Sequence, residues 1–186
     1  MNLSTYFVLN RAPRLPNLPP YRWSLSISAL VLAAAVFRAE VVAYLAPLCL
    51  YALYQGVTPK NMLATGLVSG VLSTALTVGV DSYFWQQKLL WPEMHSILFN
   101  VVEGKSAEWG VSPPSTYFKA LLPKLLLSSL PLSIIGVWYS RAIRNFVTPS
   151  LIFVGLMSCL GHKEWRFIVY VVPIFNIAAS RGLYAM

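Results

Sequence analysis

The stretch from Asn61 to Val80 reads NMLATGLVSGVLSTALTVGV and contains no charged side chain. An α-helix needs about 20 apolar residues to cross the hydrocarbon of a bilayer. Lipid offers the backbone no hydrogen-bond partner, so an isolated apolar run satisfies its own N–H and C=O groups as a helix. Gly66, Ser69, Gly70 and Ser73 place small side chains on one side of that helix, where another helix can approach closely. Gly56, Thr58, Pro59 and Lys60 form the turn before it, and Asn61 serves as N-cap. The segment 61–80 is expected to span a membrane.

The rest of the chain follows the same pattern. Of 186 residues, 57% are hydrophobic and 11% charged, against about a quarter charged in soluble domains. So few charges cannot cover a soluble surface, and the fold class is an all-α integral membrane protein, a multi-pass helical bundle. The formal charge of +8 does not indicate a nucleic-acid partner. The lysines and arginines fall singly or in loose pairs between apolar blocks and form no basic stripe, so they read as juxtamembrane residues beside membrane lipids. Cys49 and Cys159 lie inside apolar runs and read as packing residues. Met1 to Val8 is too short an apolar stretch for a signal peptide, and Arg11, Pro13, Arg14 and Pro16 follow at once. Asn2-Leu3-Ser4 matches a glycosylation acceptor by chance.

The chain divides by composition. Residues 1–23 end in a Pro- and Arg-rich lead-in, extended by Pro13, Pro16, Pro19 and Pro20. Residues 24–54 are two short apolar helices hinged at Arg38 and Glu40, since each half is too short for an ordinary span and the whole too long for one. After the span at 61–80, residues 81–119 are polar and aromatic. Within them Trp85 to Val102 carries apolar residues at helical spacing, as in a helix lying in the membrane interface. The segment Trp109-Gly110-Val111-Ser112-Pro113-Pro114 turns the chain back. Residues 120–140, 146–160 and 167–180 are further membrane helices, with Arg141 and Arg144 in a short loop and a charged knot at 161–166. No internal repeat is evident. With alternating spans, Arg11, Arg14, Arg22, Lys60, Arg141, Arg144 and Arg181 share the face that the positive-inside rule calls cytoplasmic, against Arg38, Lys88, Lys105, Lys163 and Arg166 on the other. The aromatic loop and the charged knot then share the opposite face.

The knot His162-Lys163-Glu164-Trp165-Arg166 packs four ionisable side chains into five residues between apolar runs. Charges near membrane depth cost several kcal/mol unless paired or wet, and therefore mark function. If the knot opens a helix, His162, Lys163 and Arg166 lie on one face and can hold an anionic group such as a phosphate, with Glu164 pointing elsewhere. The plainer alternative is a snorkelling interfacial turn. Asp81 at a helix end beside Tyr83, Phe84 and Trp85 fits a sugar grip or an ordinary interfacial anchor. Arg38 and Glu40 fit a structural ion pair or a polar cavity. No phosphate-binding loop, zinc spacing, nucleophile elbow or dinucleotide fingerprint is present, so no cofactor or metal is implied.

Taken together, Asp81-Ser82-Tyr83-Phe84-Trp85-Gln86, Leu90-Trp91-Pro92-Glu93, Asn100, Lys105-Ser106, Trp109-Gly110 and Ser112-Pro113 stand in the order of the family-22 mannosyltransferases. Phe37-Arg38-Ala39-Glu40 upstream and His162-Lys163-Glu164-Trp165-Arg166-Phe167 downstream agree, as do Tyr170, Pro173, Asn176, Ala178-Ala179 and Arg181-Gly182. The chain resembles that family from about Arg11 onward, and within it the branch forming an alpha-1,6 linkage in the lipid-linked N-glycan precursor. The resemblance implies a partial GT-C-type fold in the endoplasmic-reticulum membrane. It also implies inverting transfer of mannose from dolichyl-phosphate-mannose to a lipid-linked oligosaccharide on the lumenal side. His162, Lys163, Glu164, Arg166, Asp81, Trp85 and Trp109 are the substrate-binding residues it points to. The family's acidic motif with the catalytic base lies upstream of anything matched here. The chain is thus expected to be a fragment without its base and inactive by itself, Asp81 being the first carboxylate to test otherwise. The alternatives are an alpha-1,2 relative of N-glycan or GPI assembly, and a non-catalytic transporter or scaffold. A transporter would show broken helices in repeated halves.

Overall fold

The computed structural model describes residues 1–8, 19–103, 105, 108 and 110–186. Every regular element among them is helical. The chain forms two compact units, Met1–Lys105 and Ser106–Met186.

The first unit contains α1 (Asn2–Val8), α2 (Pro20–Val36), α3 (Val42–Tyr54), α4 (Pro59–Trp85) and α5 (Pro92–Ile97). Pro20 occupies the first turn of α2, where its missing N–H is no loss. The helix therefore begins inside the expected lead-in, whose residues 9–18 lie outside the described residues. In α2, Trp23, Ile27, Leu30 and Ala34 are buried, a stripe at the 3.6-residue period. Val41 from the turn that follows, and Tyr44, Leu48 and Ala52 from α3, continue the core. Between them the chain breaks at Phe37 and Arg38. Arg38 is extended, a 3-10 turn at Ala39–Val41 follows, and α3 then runs on.

Helix α4 has 27 residues, about 40 Å of helix at 1.5 Å per residue, and is long and apolar enough to cross a membrane. It packs against α2 through two hydroxyl rungs, Thr65 Oγ1 to Ser24 Oγ at 3.2 Å and Ser69 Oγ to Ser28 Oγ at 2.7 Å. Such bonds average about 0.6 kcal/mol in lipid. A Cβ on Gly70 would meet Val31, whereas one on Gly66 would meet nothing, so of the small residues Gly66 lies off the contact. Leu63, Leu67, Val71 and Leu72 are exposed, as lipid-facing side chains are.

The second unit contains α6 (Leu122–Leu126, after a π-helical turn at Tyr117–Leu121), α7 (Ser129–Tyr139), α8 (Arg141–Ser158), α9 (Trp165–Ile168) and α10 (Val172–Ala185). Helices α9 and α10, joined by a 3-10 turn at Val169–Val171, make one apolar rod of 21 residues, long enough to cross a membrane. The stretch expected as a single span over 120–140 is instead bent by 102°. Leu127 carries φ 48° at the break, a conformation unusual for a non-glycine residue. Helix α8 covers 146–158 of the stretch expected over 146–160 and starts earlier, at Arg141, where Ser140 Oγ accepts from the Ile143 N–H at 3.4 Å. Arg144 reaches back to the carbonyls of Val137 and Trp138 at 3.4 and 3.2 Å, a cation at the C-terminal end of α7. With Arg141 and Arg144 in its first turns, α8 is not among the helices long and apolar enough to cross alone.

The tightest packing in this unit joins α7 to α10. A Cβ on Gly136 would overlap the Ala178 carbonyl, and one on Gly182 would overlap the Leu132 carbonyl. The two backbones touch here because neither glycine has a side chain to hold them apart.

Candidate functional site

Each unit carries one polar cluster. In the first, the residues after α4 return to the α2–α3 break. Gln86 and Leu89 adopt φ 55° and 53°, ending α4 and reversing the chain. The Leu90 N–H donates to Ser82 Oγ at 2.9 Å, and the Trp91 indole N–H donates to the Ala35 carbonyl at 2.9 Å. Glu93 accepts the Ala39 N–H at 2.7 Å. One loop thus serves a carbonyl at the C-terminal end of α2 and an amide at the start of the next helix, groups that helix ends leave unsatisfied. Arg38 Nε lies 3.5 Å from Glu40 Oε1, an ion pair at the surface of the same break. The regular helix after this loop starts at Pro92 and not at Trp85, because Trp85 still belongs to α4.

Asp81 lies inside α4 rather than at its end. Its Oδ2 accepts the Thr77 hydroxyl at 2.6 Å, one turn earlier. Trp85, the last residue of α4, is exposed, as are Tyr83 and Phe84. Trp109 lies outside the described residues.

Folding changes the proton affinity of Glu93. Partial burial pushes its pKa above the ordinary carboxylate range, against the Ala39 N–H bond that favours its charge, and the Glu40 carboxylate adds to the rise. A carboxyl whose pKa is raised by folding contributes stability at low pH and loses it as pH climbs through the raised value. Glu93→Gln keeps an oxygen for Ala39 and removes the titration. Amide exchange at Ala39 should accelerate in the wild type beyond the intrinsic rate as pH rises above the ordinary carboxylate range, and should follow the intrinsic rate in the variant. Identical profiles would show that Glu93 does not govern the break.

The second cluster lies in the other unit, in the turn between α8 and α9. Its partner is the loop after Gly110, which turns at φ 100°, open to glycine at little cost. The Ser112 N–H donates to the Gly161 carbonyl at 3.0 Å, tying loop to turn. The knot does not open a helix at His162. Glu164 is extended, with φ −123° and ψ 149°, and helix starts at Trp165. Extended backbone sends alternate side chains to the same side, so His162 and Glu164 meet while Lys163 turns the other way.

The resulting pairings differ from those of a helical face. Lys163 is 9% exposed, and its Nζ donates to the Ser112 carbonyl at 3.0 Å and the Leu160 carbonyl at 2.6 Å. It pins the loop to the end of α8. Glu164, expected to point elsewhere, sits between the His162 ring and the Arg166 guanidinium. Its Oε1 lies 3.0 Å from His162 Nε2, while its Oε2 accepts from Arg166 Nε at 2.5 Å and from a terminal nitrogen of the same guanidinium. These hydrogen bonds, from His162 first and Arg166 second, hold the Glu164 carboxyl below its ordinary range. His162 Nδ1 lies 3.2 Å from the Gly110 carbonyl, and the ring stands edge-on to Phe167.

Among the described residues, Glu164 is the one carboxylate in this cluster of three basic side chains. The excess of cation suits an anionic group, with the free edge of Arg166, whose side chain is 54% exposed, as the part open to it. No group of three or more His, Cys, Asp or Glu side chains that could hold a metal comes together among the described residues. The acceptor carbonyls of Gly110, Ser112 and Leu160, and the loop-to-break bonds of Trp91 and Glu93, are the parts that sequence reasoning missed.

A model of the Alg9-like mannosyltransferase family matches residues 2–186. Over 160 residues the chain is 42% identical to the probable Dol-P-Man:Man(7)GlcNAc(2)-PP-Dol alpha-1,6-mannosyltransferase of Schizosaccharomyces pombe, covering 84% of this chain and 29% of the relative. It is 44% identical over 146 residues to the alpha-1,6-mannosyltransferase of the same description from Drosophila melanogaster, covering 78% and 21%. GPI mannosyltransferase 3 of Yarrowia lipolytica is 33% identical over 109 residues, covering 59% and 21%. The chain spans less than a third of the length of these relatives. No solved structure matches it.

Proposed function

The chain belongs to the Alg9-like mannosyltransferase family, and on that footing we propose that it supplies the phosphate-binding part of an inverting mannosyltransferase. The donor is dolichyl-phosphate-mannose, the acceptor is a lipid-linked oligosaccharide, and the linkage formed is alpha-1,6. The work takes place at the lumenal face of the endoplasmic-reticulum membrane. The observation that carries this reading is the His162–Arg166 turn, in which one carboxylate orients two of three clustered cations. The identity to relatives named for this linkage supports the choice over a GPI acceptor.

In such a transfer the acceptor hydroxyl oxygen forms a bond to the anomeric carbon as the bond from that carbon to the phosphate oxygen breaks. The electron pair of the broken bond goes to the departing phosphate, and the hydroxyl proton goes to a general base. The negative charge that develops on the phosphate is the demand the turn meets. Arg166 donates, His162 and Lys163 add positive potential, and Glu164 fixes the guanidinium before the reaction begins. Taken by themselves in the first unit, Asp81 and the exposed Tyr83, Phe84 and Trp85 at the end of α4 are of a kind suited to sugar contact, and Trp109 is the further residue named for that role.

One labelling experiment tests site and orientation together. Trp165 is exposed beside the cations, so Trp165→Cys offers a reporter without removing any of them. In a background with Cys49 and Cys159 replaced by serine, an impermeant maleimide should label position 165 only from the lumenal side of sealed microsomes. Dolichyl-phosphate-mannose should slow that labelling several-fold. Labelling from the cytosolic side would overturn the orientation, and a rate indifferent to the donor would overturn the site.

A further inference from the structure

His162 has a proton count that the geometry constrains. Its Nδ1 faces the Gly110 carbonyl at 3.2 Å and its Nε2 faces a Glu164 carboxylate oxygen at 3.0 Å. A carbonyl and an ionised carboxylate can only accept. A neutral imidazole has one N–H and can satisfy one of the two, whereas the imidazolium donates to both. Glu164 is held ionised, with its pKa below the ordinary range through His162 and Arg166, so it does not provide the missing proton. Among the described residues, the other charged groups about the ring are Arg166, which shares Glu164, and Lys163, which turns away to the carbonyls of Ser112 and Leu160. From the loop the Gly110 carbonyl faces it, and from α9 the neutral Phe167 ring is its neighbour.

We propose that His162 is an imidazolium in the resting protein and that the turn is thereby a selective site for a phosphate monoester over a phosphate diester. With His162, Lys163 and Arg166 each positive and Glu164 negative, the cluster carries a net charge of +3 − 1 = +2. A phosphate monoester carries about −1.5 to −2 at neutral pH, whereas a diester carries a single negative charge. The monoester is the better match. This rests on the phosphate-binding reading above, in which the donor is a diester and the departing lipid phosphate is a monoester. The cluster then holds the leaving group more firmly than the donor, so it favours the charge that develops as the bond breaks. Loss of the second proton from His162 lowers the net charge to +1 and abandons one of the two ring hydrogen bonds. Protonation of one ring therefore sets how long the product stays.

Two measurements test it. The chain has two histidines, His95 and His162, so nitrogen-15 histidine spectra in lipid nanodiscs contain two rings. His162→Gln assigns them directly, and His95→Gln assigns them by elimination if the first variant does not fold. At pH 7 both His162 nitrogens should show the protonated signature. A signal with one unprotonated ring nitrogen would overturn the proposal. In the second measurement dodecyl phosphate, didodecyl phosphate and inorganic phosphate are titrated against the same nanodiscs. Dodecyl phosphate should bind more tightly than didodecyl phosphate, by on the order of tenfold for one unit charge at close range, and the ratio should fall toward one in His162→Gln. Competition by inorganic phosphate would place the selectivity in the head group alone, and its failure to compete would show that the lipid chain is also required; either agrees with the proposal. Equal binding of mono- and diester by the wild type overturns monoester selectivity while leaving the phosphate site standing. Binding of neither probe overturns both.

Discussion

Gly136→Ala is expected to destabilise the second unit by about 3 kcal/mol, at the upper end of ordinary overpacking, and Gly182→Ala by a similar amount. In each case the added methyl meets a backbone carbonyl of the opposite helix, that of Ala178 or Leu132. A carbonyl inside a helix cannot swing aside as the tip of a side chain can, so relief requires α7 and α10 to separate. Separation would cost the contacts around Ile174, Ala178 and Ala179, which are all buried. Gly155→Ala is the matched control, because a Cβ there meets nothing within 4 Å and alanine is the better helix former. Unfolding of the three variants by detergent titration separates the two cases. Equal stability of Gly136→Ala and Gly155→Ala would show that the helices do not pack at the glycines.

Arg166→Ala, placed in an enzyme containing this segment, should reduce mannose transfer by a hundredfold or more. Removing one preorganised donor to a developing charge costs about 2.7–4 kcal/mol. Arg166 is preorganised in this sense, because Glu164 holds two of its nitrogens and leaves the remaining edge free. Lys60→Ala, at the exposed start of α4, should leave transfer unchanged. Glu164→Gln should fall between them, since it keeps a hydrogen-bond acceptor but weakens the hold on both His162 and Arg166. The measurement is single-turnover transfer from labelled dolichyl-phosphate-mannose at saturating acceptor. A near wild-type rate for Arg166→Ala would mean that the turn merely snorkels at the interface.

The parts of this molecule that were legible in its sequence are those fixed by composition over a long window. Asn61–Val80 needed no partner to be read as a membrane helix, and α4 contains it whole. The bend at Leu127 left no such trace, since leucine at positive φ carries no mark that glycine or proline would have left. Gly136 and Gly182 were equally silent. Each is an ordinary membrane-helix glycine, and their meaning arises when α7 and α10 place them against each other's backbones. The charged turn was visible as a set of residue types, but its wiring depended on backbone conformation. A helical reading sent Glu164 away from its neighbours and Lys163 toward them. The extended backbone at Glu164 reverses both, and the acceptors that bury Lys163 are carbonyls, which every residue has and no pattern advertises.

The loop that services the α2–α3 break works as a ruler. Trp91 and Glu93 reach fixed points on the break, the Ala35 carbonyl and the Ala39 amide, while the Ser82 hydroxyl holds the Leu90 amide within the loop itself. Trp91 and Glu93 stand two residues apart, while the backbone groups they meet, on opposite sides of the break, are four apart. Adding or removing one residue between Ser82 and Trp91 would shift the indole and the carboxylate together, and both helix ends would lose their partners at once. The number of residues in this stretch is therefore under tighter constraint than their kind. Differences in length among related chains should accumulate elsewhere, and the left-handed Gln86 and Leu89 are how twelve residues are folded to fit a fixed distance.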